Sequence, residues 1–332
     1  MRRRRNSGLM LLIVIFCMMT GFVLGMIAIH VVDTKNEKAK IEALKEELAE
    51  AKKEQDKPLN VYFPRRRIVY GEVPRHSYND EGFKIEDGFM AYYNENGEKI
   101  SHVGVDLSFY NKKVDWDALA NSPVEFVMLR CGYRGYTEGG LIEDENFREY
   151  AEEAIAHGLK LGVYFFTQAI TEEEARSEAD YVIKLIEDYD ISYPVAFDTE
   201  LISDEDARTE KAELTPEELS NICIAFCERV KEVGYYPMIY ASENWFRRRL
   251  DVRMLAEYDF WAPQYLDKND FLYDFTIWQY TETGDAPGVE GDCDINISMV
   301  DYSKICPKLR QAYLDGGEIG EYSSENPTIT IQ

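Results

Sequence analysis

The chain has 332 residues, 62 of them acidic against 37 basic, for a formal net charge of -25. That imbalance excludes nucleic acid and anionic membrane surfaces as partners, because both would repel it. The length accommodates one domain of about 200 residues plus accessory segments.

Four arginines follow Met1, and Leu9 to Val32 then runs apolar with no formal charge between Arg5 and Asp33. A bilayer needs about 20 apolar residues, so residues 1–32 read as an uncleaved transmembrane anchor. The arginines favour a cytoplasmic N-terminus, which puts the rest of the chain on the cell-wall side of the cell membrane as a single-pass protein. In residues 33–56, Ile41, Leu44, Leu48 and Ala51 recur at 3-4-3 spacing. This predicts a short coiled-coil stalk, either a weak homodimer seam or a solvated helix. Residues 57–101, with Pro58, Pro64, Pro74 and the cluster Arg65, Arg66, Arg67, read as a spacer. Within it, Asn94-Glu95-Asn96-Gly97 between two strand-like runs predicts a β-hairpin.

A regular alternation begins at Val103. Strands are expected at Val103 to Asp106, Val124 to Cys131, Lys160 to Thr167, Val195 to Glu200, Tyr236 to Ala241, Phe260 to Tyr265, Phe275 to Tyr280 and Cys293 to Ile297. Helices are expected at Asp144 to His157, Thr171 to Tyr189, Thr215 to Gly234 and Asn244 to Leu255, with a capping-box signal at Thr171 and a helix-opening Thr215-Pro216. Strand and helix alternate, so the sheet should be parallel. The last strands lack full helices between them. The fold class expected is α/β, an irregular TIM-like (β/α) barrel with a simplified C-terminal third, spanning 102–310 with a tail at 311–332. Five cysteines lie outside the apolar N-terminal run, an odd number, and read as buried thiols.

Barrel enzymes place chemistry at the carboxyl ends of strands. Asp198 and Glu200 end one strand at i and i+2, so both side chains point the same way. Their mutual repulsion and partial burial raise the pKa of at least one. A protonated carboxyl beside an ionised one is what glycoside cleavage requires. Asp106 and Asp294 lie in other strands and are expected to line the same cleft. Tyr164, Tyr240, Tyr265 and Trp278 are candidate sugar platforms, although core packing is the ordinary role of any single aromatic.

These residues carry a family resemblance. Asp106-Leu107-Ser108-Phe109-Tyr110-Asn111 with Val114-Asp115-Trp116 resembles the opening D-x-S-x-x-Q…I-D-W of the glycoside hydrolase family 25 lysozymes, with asparagine where glutamine is usual. Arg130 with Gly132, Gly162-Val163-Tyr164-Phe165-Phe166, Asp198-Thr199-Glu200, Trp261-Ala262-Pro263-Gln264-Tyr265, Ile277-Trp278-Gln279-Tyr280 and Asp294-Ile295-Asn296 resemble its later pieces in order. The resemblance implies an N-acetylmuramidase that cleaves the β-1,4 bond between N-acetylmuramic acid and N-acetylglucosamine in peptidoglycan glycan strands. It implies no metal and no organic cofactor. Glu200 would be the protonated general acid, with Asp198 ionised as nucleophile or as orienter of the substrate's own N-acetyl group. Arg130 reads as a structural ion-pair partner. A barrel that binds peptidoglycan without turnover, or a cell-wall assembly protein, is the competing reading.

Overall fold

The computed structural model describes residues 60–63, 66–69, 73, 75–204, 206–265 and 269–316. The expected anchor, the stalk and the end of the tail lie outside the described residues. Strands β1 (Asn60–Phe63) and β2 (Arg66–Val69) form a two-stranded ribbon.

Strands β3 (Phe83–Glu86) and β4 (Phe89–Tyr92) pair antiparallel across Asp87 and Gly88. Both turn residues have positive φ, 51° and 86°, the geometry that a two-residue hairpin turn requires. Gly88 adopts it without a Cβ clash. This hairpin was not expected. The expected turn at Asn94 to Gly97 also reverses the chain, in abbreviated form: Tyr93 and Lys99 make an antiparallel bridge, Asn94 N donates to Glu98 O and Ile100 N donates to Tyr92 O.

The barrel strands are β5 (His102–Leu107), β6 (Val124–Arg134), β8 (Lys160–Phe166), β9 (Ile191–Thr199), β10 (Pro237–Ala241), β11 (Asp259–Pro263), β12 (Ile277–Gly284) and β13 (Cys293–Ser298). They pair in that order, and β13 returns to β5, so the sheet closes. Short β7 (Leu141–Glu143) folds back on the end of β6 as a hairpin. The sheet is not wholly parallel as expected. β13 runs antiparallel to both neighbours, because the connection from β12 is too short for a crossover helix.

Helices α1 (Trp116–Ala120), α2 (Phe147–Ala156), α3 (Glu172–Ile186), α4 (Arg208–Lys211), α5 (Pro216–Glu232), α6 (Glu243–Arg248) and α7 (Cys306–Leu314) complete the unit. α5 starts with a full capping box between Thr215 and Glu218. At Thr171 only half the box forms, because the Glu174 carboxylate turns to Ile170 N and Arg208. α6 ends at Arg248, short of the expected Leu255.

Strand alternation divides the core in two. Val105, Val127, Val163, Val195 and Phe197 face outward against the helices. Phe126, Met128, Ala196, Met238, Tyr240, Trp261 and Ile277 form a second cluster with Tyr302, Ile305 and Leu309 from the C-terminal segment. Gly104 makes room for it, since a Cβ there would sit 2.2 Å from the Phe126 ring. Between β11 and β13 no α-helix of the described residues intervenes, and the β3–β4 hairpin takes that place. Phe83 stacks edge-on against Trp278 at 5.2 Å, Tyr78 donates to Phe275 O, and Met90 N donates to Tyr280 Oη. The segment expected as a spacer is thus packed into the catalytic unit, because the outer faces of β11 and β12 are apolar and need cover.

Candidate active site

Asp106, Asp198 and Asp294 lie at the carboxyl-end mouth of the barrel or opposite it, and Glu200 follows directly on β9. The antiparallel course of β13 brings Asp294 level with Asp106 as its Cα partner. Asp198 is in register with Tyr240 on one side and Phe166 on the other. Sequence positions far apart therefore meet in one acidic cluster.

Asp106 is buried and anchored. Its Oδ2 accepts Gln279 Nε2 and Asn296 Nδ2, both at 2.8 Å. Gln279 Oε1 in turn accepts the hydroxyls of Tyr240 at 2.9 Å and Tyr265 at 2.7 Å. Asn296 Oδ1 accepts Trp261 Nε1 at 2.8 Å. These donors fix which way each amide faces, so both amides must point an N–H at Asp106. Burial pushes the Asp106 carboxyl up to about 6, even though the two amide bonds favour its charged form.

Asp198 is 3% exposed and interacts directly with Glu200. Burial raises both carboxyls and holds Asp198 well above the usual carboxylate range, and the Glu200 charge adds to the rise at Asp198. The two carboxyls are coupled, so a proton taken up by the pair belongs to both of them. Asp198 Oδ1 is buried without a hydrogen-bond partner. Asp294 is pushed up to about 8, by burial first and then by the charges of Asp106, Glu282 and Glu200. Arg130 is the cation that opposes the rise at Asp198. It is itself paired with buried Asp144, Nε to Oδ2 at 2.7 Å.

The aromatics divide. Tyr164 lies in the barrel interior, edge-on to Trp261 at 5.8 Å. Tyr240 and Tyr265 reach the site through Gln279, and Tyr265 is 45% exposed. Trp278 does not reach it. It is 0% exposed, faces the hairpin, and donates its indole N–H to Gln264 O at 2.7 Å. Strand alternation explains the correction: Ile277 and Gln279 point inward, so Trp278 points out. Gln279, Asn296 and Trp261 were absent from the expected site list. The i, i+2 relation of Asn296 to Asp294 and the inward parity of Gln279 were the signals that could have found them. Among the described residues, no group of three or more His, Cys, Asp or Glu is arranged to hold a metal ion.

Residues 105–289, more than half of the chain, match the profile of the Glycosyl hydrolases family 25. This chain belongs to that family. It is accordingly a glycoside hydrolase. The family 25 match ends before β13, although Asp294 and Asn296 stand on that strand. The chain is 22% identical over 194 residues to the autolytic lysozyme of Clostridium acetobutylicum, covering 58% of this chain and 54% of that protein. It is 23% identical over 218 residues to the uncharacterized protein YegX of Escherichia coli, covering 64% and 73%. Among solved structures, the spore cortex lytic enzyme SleM of Clostridium perfringens superposes with a TM-score of 0.53 at 24% identity, over 60% of this chain and 67% of that one. The modular autolysin LytC of Streptococcus pneumoniae, in complex with a synthetic peptidoglycan ligand, gives 0.52 at 23% identity, over 65% and 52%. At these identities the superpositions establish the barrel fold, which the family 25 chains share.

Proposed function

We propose that this family 25 enzyme hydrolyses the β-1,4 bond between N-acetylmuramic acid and N-acetylglucosamine in peptidoglycan, with Glu200 as general acid and base and Asp198 assisting. The observation that carries this reading is the Asp198–Glu200 pair, side by side and buried, with one Asp198 oxygen left unpartnered. The peptidoglycan ligand of the pneumococcal autolysin supports the substrate class.

The chemistry follows from the proton. When a glycosidic oxygen approaches Glu200, Glu200 carries the proton held by the coupled pair and Asp198 is left ionised. Glu200 delivers it to the leaving oxygen as the bond to the anomeric carbon breaks. Asp198, now anionic, accepts the acetamido N–H of the bound sugar through Oδ1. That orients the acetamido carbonyl oxygen to attack the anomeric carbon, and the configuration is retained after a second displacement by water. Glu200, now ionised, takes the proton of that water. Asp106, held by two amides, keeps negative charge near the developing oxocarbenium ion, and Asp294 lines the cleft beside it. The apolar run from Leu9 to Val32 supports a membrane-tethered enzyme acting on nearby wall; recovery of the intact chain from medium rather than membranes would overturn that part.

The test uses purified peptidoglycan and mass spectrometry of released fragments. The parent chain yields reducing N-acetylmuramic acid ends. Glu200→Gln lowers the rate by about two to four orders of magnitude, the usual worth of acid–base transfer, while still binding glycan. A Glu200→Gln variant of near-parental rate would remove Glu200 from the mechanism. A parent chain that retains glycan and never cleaves it would make this a binding module.

A further inference from the structure

Resting on that reading, a second contact with the polymer lies at the far side of the barrel mouth. The loop after β5 carries Phe109 and Tyr110, which are 39% and 71% exposed. Exposed aromatic tips usually sit on loose loops, and this loop is pinned. Asn111 Oδ1 accepts Ser108 N at 2.9 Å, and Ser108 O accepts Asn111 N at 3.0 Å. Asp144 Oδ2 accepts Phe109 N at 3.2 Å, and Tyr150 Oη donates to Asn111 O. The Arg130 guanidinium lies 5.5 Å from the Phe109 ring centroid and 5.1 Å from that of Tyr110. The two rings are 4.2 Å apart. One face of the aromatic pair is backed by a cation fixed to buried Asp144, and the remaining surface stands in solvent.

The barrel order locates this pair. Asp198 belongs to β9 and Glu200 directly follows it. Phe109 and Tyr110 follow β5, three strands away through β8 and β6. Tyr265 follows β11, two strands away in the other direction. Arg130 and Tyr164 are Cα partners on the intervening strands β6 and β8, between the aromatic pair and Asp198 in the barrel order. A polymer drawn across the mouth past the carboxyl pair reaches Tyr265 at one end and Tyr110 at the other. The charge at the pair selects the occupant. Arg130 is already neutralised by Asp144, so a peptide carboxylate finds no free cation here. A pyranose ring, apolar on its C–H face, needs none.

We propose that Phe109 and Tyr110, braced by Arg130 and Asp144, form a sugar-stacking platform that holds a ring of the glycan strand remote from the bond being cleaved. The platform makes the enzyme prefer long strands. It acts through substrate affinity, because neither ring touches the reacting atoms.

The experiment titrates peptide-free glycan oligomers of two, four and eight sugars into the detergent-solubilised full chain carrying Glu200→Gln. Affinity is expected to rise with length. Adding Tyr110→Ala or Phe109→Ala weakens the eight-sugar ligand about tenfold and removes most of the gain with length, as loss of an aromatic anchor does. Tyr110→Phe retains the stack and the gain. Ile85→Ser, an exposed residue on the β3–β4 hairpin, changes neither. Parental affinities in Tyr110→Ala at every length would overturn the platform, and so would equal losses for two and eight sugars. Displacement of the long ligand by stem peptide alone, lost in Tyr110→Ala, would overturn the choice of glycan as occupant. Hydrolysis by the chain with Glu200 intact is scored separately. Length-dependent binding without cleavage sinks the hydrolase reading and leaves the platform standing; cleavage without length dependence does the reverse.

Discussion

Replacing Trp278 separates a structural tryptophan from a sugar platform. Its indole is fully enclosed, stacks edge-on against Phe83 at 5.2 Å and Tyr280 at 6.0 Å, and satisfies Gln264 O. Truncating a buried tryptophan to alanine costs about 3–5 kcal/mol through lost packing and the cavity left behind. For a domain of this size each kcal/mol moves Tm by roughly 2–4 °C, so Trp278→Ala should melt roughly 10 °C lower. Trp278→Phe retains most of the packing but leaves Gln264 O unpaired, which costs about 1–3 kcal/mol. Tyr265→Ala is the counterpart. Half in solvent, it should change stability by less than about 1 kcal/mol while raising KM on glycan. Thermal and denaturant unfolding, with kinetics at a temperature where every variant is folded, reads both quantities. A Trp278→Ala variant with parental Tm and a raised KM would refute the burial argument and restore Trp278 to the substrate.

Asp294 titrates at about 8 in the folded chain, against 3.8 for an unperturbed aspartate. Between those values the folded state binds more protons than the unfolded one, so this group's contribution to stability falls as pH rises from 4 through 8. Asp294→Asn should match the parent at pH 4 and exceed it increasingly toward pH 9, by at most about 6 kcal/mol at 1.36 kcal/mol per unit; denaturant midpoints across that range give the difference, and a constant offset would count against it. Arg134 and Glu178 form a buried pair at 2.6 Å, with Arg134 also reaching Gly139 O, Glu174 O and Ser177 Oγ. Arg134→Met should cost about 3–5 kcal/mol by stranding Glu178, and Glu178→Met in the same chain should recover part of it. A double variant as unstable as the sum of the two single ones would show no coupling.

Much of the barrel was legible because its strands are punctuated. Gly, Pro and Asn separate apolar runs whose lengths suit strands, and Thr215-Pro216 announces α5. The carboxyl pair was legible for a related reason. Two acids at i and i+2 closing a buried run share a face wherever that run folds. What could not be read was parity relative to the barrel axis. Trp278 and Gln279 are adjacent in the chain, and only the closure of the sheet says which of them looks inward. The turn at Asn94 to Gly97 was legible from its composition, whereas the longer hairpin at Asp87-Gly88 was missed because its strands form against an apolar wall that only the barrel supplies.

By itself, then, the sequence determined the alternating elements, the acidic character and the positions of the four carboxyl groups, since each depends on composition and short-range spacing. The tertiary structure decided the rest. It turned β13 antiparallel, set Asp294 beside Asp106, buried the Asp198–Glu200 pair and brought the β3–β4 hairpin over bare strands. Those outcomes depend on burial and on contacts between residues far apart in the chain, such as Asn296 with Asp106, 190 positions away. No local pattern encodes the dielectric or the neighbours that such a fold supplies.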